Sequence, residues 1–195
     1  MALCQNYSHV VQIGWGKSGT TTTRLFFEHL GYNSSCLRNE DVDALPITPD
    51  KTLLSRSCKH VFVGELARFY FPHESVQLQL THLSLLRQRM PNTLFVHCWR
   101  NTSHWIRSVR HWNTLFGRLR TRDIEGLPPG HPRNDKELGR WYEDSNAYFA
   151  FVFRHRTNYA LIDVDNSASL RELAAWCNAS YTFVPHNAGR YAHDT

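Results

Sequence analysis

The sequence predicts an α/β domain: a mostly parallel sheet covered by helices on both faces. Short apolar runs near 10–13, 61–63, 93–99 and 159–164 alternate with longer stretches whose apolar residues recur at helical spacing. The first strand and helix are joined by a turn carrying Gly14, Gly16 and Gly19. At 195 residues, with no internal repeat or low-complexity tract, the chain is long enough for one sizeable core, so a single domain spanning 1–195 is expected.

Taken in order, Val10, Val11 and Ile13, with Trp15 behind them, read as a buried strand. Thr20 to Thr23 then open a helix whose apolar set is Leu25, Phe26, Phe27 and Leu30, closed by Gly31. Residues 32–58 read as a loop with a short helix near 50–57, and 61–63 as a second strand ending at Gly64 and Glu65. Val76, Leu80 and Leu83 suggest a helix over 74–89, stopped by Pro91. Residues 93–99 form a third strand, and Asn101 or Thr102 caps the next helix. Its stripe of Trp105, Val109, Trp112 and Phe116 reads as core. Residues 118–135, with Arg118, Arg120, Arg122 and LPPGHP, are expected to be a surface loop. A long helix over 136–156, a strand over 159–164 and a helix over 167–178 follow. That last helix turns Leu170, Leu173, Ala174 and Cys177 inward, and an irregular tail completes the chain.

Composition is that of a globular protein, 42% hydrophobic and 20% charged. A formal charge of +5 and a pI near 9.1 suit an anionic ligand. No Lys/Arg run of the kind used in nucleic-acid patches is present, so no nucleic-acid partner is expected. Five scattered cysteines, none in a C-x-x-C pair, argue against a zinc knuckle or disulfide framework and for a reducing compartment. No targeting segment or apolar span is seen, so a cytoplasmic protein without membrane partners is expected. Sequons at Asn6, Asn33, Asn101 and Asn178 are read as incidental.

The turn after the first strand carries the chemistry. Glycines allow backbone N–H groups to point inward, a helix N-terminus adds unpaired donors and partial positive charge, and Lys17 adds a full charge. Together these are the means of holding a phosphate. Gly16, Lys17 and Ser18 mimic the end of the Walker A signature, but Val11 stands where its first glycine belongs.

KSGTT after a strand resembles the phosphate loop of sulfotransferases that use 3'-phosphoadenosine 5'-phosphosulfate (PAPS). The second mark of that resemblance is WRNTSHWIRSV, with Arg100 at a strand end, Ser108 eight positions later and Trp105 in a W-x-x-S spacing. The third is VGELARFYF, which is similar to the run holding the catalytic glutamate of glycan-acting members, with Leu66 in place of their lysine. The resemblance implies a P-loop-like sulfotransferase fold and a site assembled from these three loops. Gly16, Lys17, Ser18, Gly19, Thr20, Thr21 and Thr22 would cradle the 5'-phosphate, with Lys17 on the bridging oxygen. Arg100 and Ser108 would grip the 3'-phosphate, and Gly189 and Arg190 of the NAGRY tail would add contacts there. Glu65 would be the base, with His73, His104 and His97 as competing candidates. PAPS and its product 3'-phosphoadenosine 5'-phosphate (PAP) would be the only cofactor pair, with no metal, and the acceptor a small molecule bearing a hydroxyl or amine. Trp15, Phe69, Tyr70, Phe71, Trp141 and Tyr142 are candidates for lining its pocket.

Two other readings remain open on the residues. A P-loop kinase or nucleotide hydrolase would use Asp163 or Asp165 of LIDVD for magnesium. A non-catalytic nucleotide-binding module would keep the loop without turnover.

Overall fold

The computed structural model describes residues 3–34, 60–63, 67–69, 75–77, 83, 87–88, 92–112, 114–122, 124 and 126–183. After a 3₁₀ turn (Leu3–Asn6) come β1 (His9–Ile13), α1 (Thr20–His29), β2 (Val61–Val63), β3 (Ala67–Phe69), β4 (Ser75–Gln77) and β5 (Thr93–Trp99). They are followed by α2 (Thr102–His111), α3 (Leu115–Thr121), α4 (Asp135–Phe153), β6 (Tyr159–Asp163) and α5 (Ser167–Trp176).

The main sheet has the order β2-β1-β5-β6, and every pairing in it is parallel. Alternation along β5 assigns the two faces. Leu94, Val96 and Cys98 join Val10, Phe26, Phe27, Ile162, Leu170 and Leu173 in one core, so α1 and α5 cover that face. Phe95 and His97 point the other way, against Phe153 and Phe149 of α4. A second core, built around Trp15, Trp105, Leu119, Leu138 and Trp141, joins α2, α3 and α4. The expectation of an α/β chain with a parallel sheet flanked on both faces therefore holds. Adjacent strands β1 and β5 send their chains to opposite faces, which opens a crevice between their carboxyl ends.

Several local expectations are corrected. Residues 75–77 form strand β4, antiparallel to β3 with Val76 opposite Arg68, instead of opening a helix. A lone valine between polar residues satisfies either period, and among the described residues of this stretch Leu83, Arg87 and Gln88 are helical. Arg118 and Arg120 lie on helix α3, so the loop is shorter than expected. The stripe from Trp105 to Phe116 is not continuous: α2 ends at Trp112, which is 43% exposed, and Phe116 belongs to α3. The cysteine reading is also corrected. Cys4 and Cys177 form a disulfide, with Cα atoms 4.8 Å apart, that ties the 3₁₀ turn to the end of α5. Such a bridge persists in oxidising surroundings, so the cysteine argument for a reducing compartment does not stand. The short helix near 50–57 lies outside the described residues. No helix among the described residues is long and apolar enough to cross a membrane.

Candidate functional site

The turn between β1 and α1 is shaped from within. Gly14 and Gly19 adopt φ of 121° and 96°, and Lys17 adopts φ of 72°. A Cβ on Gly14 would strike the Cys98 carbonyl, and one on Gly19 would strike the Val164 side chain, so both positions require glycine on two counts. Ser18 is fully buried and donates both its N–H and its hydroxyl to the Trp15 carbonyl. Its hydroxyl thus holds the turn in shape. Thr23 is buried as well, its hydroxyl 3.0 Å from Gln12 Oε1 and from the Gly19 carbonyl. Thr20, Thr21 and Thr22 remain half-buried on the first turn of α1.

The helix starts differ in a way that matters. Side chains of Asn101, Asn134 and Asn166 accept from first-turn N–H groups of α2, α4 and α5. Helix α1 begins on Gly19 with no side-chain cap, as does α3 on Thr114. The first-turn N–H groups of α1 thus have no side-chain cap, and its positive end lies next to Lys17 in the chain.

Helix α2 rises from the end of β5 and lies over this turn. Trp105 Nε1 donates to the Gly16 carbonyl at 2.9 Å, and the Lys17 ammonium sits 4.3 Å from the centre of the Trp112 ring. Ser108, only 9% exposed, shares the helical face of Trp105 and Trp112, one turn from each. The two sequence motifs therefore meet.

Arg100 makes the junction explicit. Its Nη1 donates to the Lys17 carbonyl at 3.3 Å, while Nη2 and Nε donate to Asp165 at 2.6 and 3.3 Å. Of the guanidinium's five N–H groups, these bonds use one on each nitrogen and leave one on each terminal nitrogen. Asp165 also accepts from the Asn101 N–H at 3.3 Å and lies 3.0 Å from His104 Nδ1. Burial acts to raise the Asp165 pKa, but hydrogen bonds from Arg100 and His104 outweigh it and leave the carboxyl below its ordinary value.

Behind Arg100 lie two sets of bonded polar groups. The Arg100 N–H donates to the Tyr142 hydroxyl at 3.1 Å, and that hydroxyl donates back to the Arg100 carbonyl at 3.4 Å. Asn146 Oδ1 is 2.9 Å from His97 Nε2, and His97 Nδ1 is 2.7 Å from the Tyr159 hydroxyl. Burial pushes the His97 pKa down to about 4 and the Tyr142 and Tyr159 hydroxyls up to about 12, so all three are neutral near pH 7.

Of the sequence-predicted residues, the turn at 16–22, Arg100 and Ser108 are gathered at the carboxyl edge of β1 and β5. Glu65, Gly189, Arg190, His73, Tyr70 and Phe71 lie outside the described residues. Strand β2 runs parallel to β1 with Val63 opposite Val11, so it delivers the chain to the same edge of the sheet. Among the other candidate bases, His104 is engaged with Asp165 and His97 is buried and bonded to Asn146 and Tyr159. Asp163 ends β6, which β5 separates from β1. Asp163 accepts the Asp165 N–H at 3.0 Å and Asp165 is committed to Arg100, which weighs against a magnesium site there. Among the described residues no group of His, Cys, Asp and Glu is arranged to hold a metal.

Sequence reasoning missed Asp165 as the partner of Arg100, Tyr142 as its backbone anchor and Trp112 as the platform for Lys17. Only the strand-end position of LIDVD gave a hint of the first. No protein-family model matches the chain, and comparison with curated proteins gives no match.

Proposed function

We propose that the protein is a sulfotransferase that moves a sulfuryl group from PAPS to a hydroxyl or amine of a small-molecule acceptor. The observation that carries this reading is the contact between the Arg100 guanidinium and the Lys17 backbone, with α2 laid across the turn. Two segments suited to phosphate and separated by 83 residues touch through this bond, which supports a ligand phosphorylated at both ends.

The residues suit the donor. An uncapped helix start, a turn that only glycine can form and the Lys17 ammonium provide for the 5'-phosphate. The remaining Arg100 donors and the Ser108 hydroxyl provide for the 3'-phosphate. Ser18 contributes by holding the turn.

In the reaction the acceptor oxygen forms a bond to sulfur. The bond from sulfur to the bridging phosphate oxygen breaks with its electron pair, leaving PAP, and the acceptor proton passes to a base. Lys17 neutralises the charge that develops on the leaving phosphate. The resemblance assigns the base to Glu65.

The direct test is transfer of labelled sulfate from PAPS to a panel of phenols, alcohols, sugars and amines, with Lys17→Ala as control. Turnover that is lost in the variant is expected. Equal turnover in Lys17→Ala would refute the role given to this residue.

A further inference from the structure

A cavity of about 690 Å³ opens along α4, lined by Leu127, Lys136, Glu137, Arg140, Trp141 and Tyr148 among others. Its volume falls within the roughly 300–1,000 Å³ of small-molecule sites. Its place in the fold matters more. Tyr142 stands level with Arg100 and Asn146 level with His97, so α4 residues 136–141 overhang the carboxyl edge of the sheet. Trp141, on the cavity wall, packs its ring 4.0 Å from that of Trp15, two residues before Lys17. The indole N–H of Trp15 is buried and finds no acceptor among the described residues.

The charge at the mouth is not balanced. Glu137 is held by Arg133 and faces His131, both at 3.0 Å. Lys136 and Arg140, exposed and one turn apart, have no ion-pair partner among the described residues. Asp144 lies one turn further along, toward Tyr148.

We propose that this cavity seats the acceptor, and that the acceptor is a phenol or aryl alcohol carrying an anionic substituent. Its ring lies against Trp141 and Tyr148, and its anion sits between Lys136 and Arg140. An aromatic wall selects flat apolar bodies, and Lys136 and Arg140, which outnumber Asp144, unpaired among the described residues, on the same wall, select negative charge. Only the fate of the hydroxyl rests on the sulfuryl-transfer reading; binding in the cavity does not.

The test is titration calorimetry of the whole chain, with and without saturating PAP, using three phenols that share one ring: 4-hydroxyphenylacetate, 4-ethylphenol and tyramine. The anionic phenol is expected to bind about tenfold tighter than the neutral one, and tyramine weakest, following charge-assisted pairing. The double variant Lys136→Ala/Arg140→Ala should erase that preference while leaving 4-ethylphenol and PAP affinities unchanged. Tyr148→Ala should weaken all three phenols together. No saturable binding, equal binding of the three, or a preference that survives in the double variant would overturn the proposal. The PAP titration separates the two readings. If PAP fails to bind while the anionic phenol is still selected, the nucleotide assignment falls and the cavity assignment stands. If PAP binds but no phenol does, the reverse holds.

Discussion

Replacing Arg100 with alanine separates a ligand-binding arginine from a structural one. The side chain bonds Asp165 twice and the Lys17 carbonyl once, and keeps one N–H on each terminal nitrogen. If those two reach a 3'-phosphate, the loss is selective. A hydrogen bond to a charged group contributes about 1.5–3 kcal/mol, which is roughly 10–100-fold in affinity at about 1.4 kcal/mol per decade. The lower end applies, because Asp165 already offsets part of the guanidinium charge. Calorimetry should therefore show Arg100→Ala weakening adenosine 3',5'-bisphosphate by about tenfold or more while changing adenosine 5'-monophosphate by less than about threefold. Lys17→Ala should weaken both. If Arg100→Ala weakens the two nucleotides equally, the arginine only braces the turn through its bonds to Asp165 and Lys17, and the assignment of a second phosphate position is wrong.

Other consequences follow from the same geometry. Tyr142→Phe removes the hydroxyl that accepts the Arg100 N–H, and should raise the Kd for the bisphosphate about three- to tenfold while leaving the monophosphate unaffected. His97 has its pKa lowered to about 4 by burial, so the unfolded chain binds a proton that the folded chain refuses between about pH 6.5 and 4. Stability is thus complete above about pH 6.5 and falls by roughly 3 kcal/mol as pH drops to about 4. Urea unfolding across this range should show that component, and His97→Gln should lack it; identical pH slopes would contradict it. Cys4→Ser should cost about 2–5 kcal/mol, because the bridge closes a loop of 173 residues, and reduction of the wild type should lower Tm to match. Gly19→Ala places a Cβ against Val164 at φ 96°, so it should abolish nucleotide binding with the far-UV spectrum preserved.

Much of this arrangement is legible in the residues, for identifiable reasons. Near-continuous apolar runs such as Thr93–Trp99 have no exposed face, and only a strand buried on both sides accommodates them. The turn at 14–19 announces itself because its glycines are a local requirement, whereas the positive φ of Lys17 is seen only in the structure. What stays hidden depends on pairs distant in the chain. Val76 satisfies either period until β3 lies beside it. Cys4 and Cys177 say nothing about each other until α5 returns to the start of the fold. Trp112 fits the periodicity of the core and yet carries Lys17, because α2 ends just there.

Asp165 decides how Arg100 should be understood. A strand-end arginine paired with a carboxylate is the ordinary structural arrangement, and read alone it would dissolve the site. Here the pairing takes the edge formed by Nε and one terminal nitrogen, fixing the plane of the guanidinium, while the other terminal nitrogen reaches the Lys17 carbonyl. The Arg100 backbone is fixed in turn by Tyr142, whose hydroxyl accepts its N–H and donates to its carbonyl. A side chain held from behind at both backbone and head group loses little freedom when it meets a phosphate, so more of each hydrogen bond appears as affinity. On this account Asp165→Asn, which keeps the shape and removes the charge, should leave Arg100 less firmly oriented. The bisphosphate should then bind more weakly in low salt, despite the gain of net positive charge. Tighter binding in Asp165→Asn would mean that the carboxylate competes with the ligand and does not orient its partner.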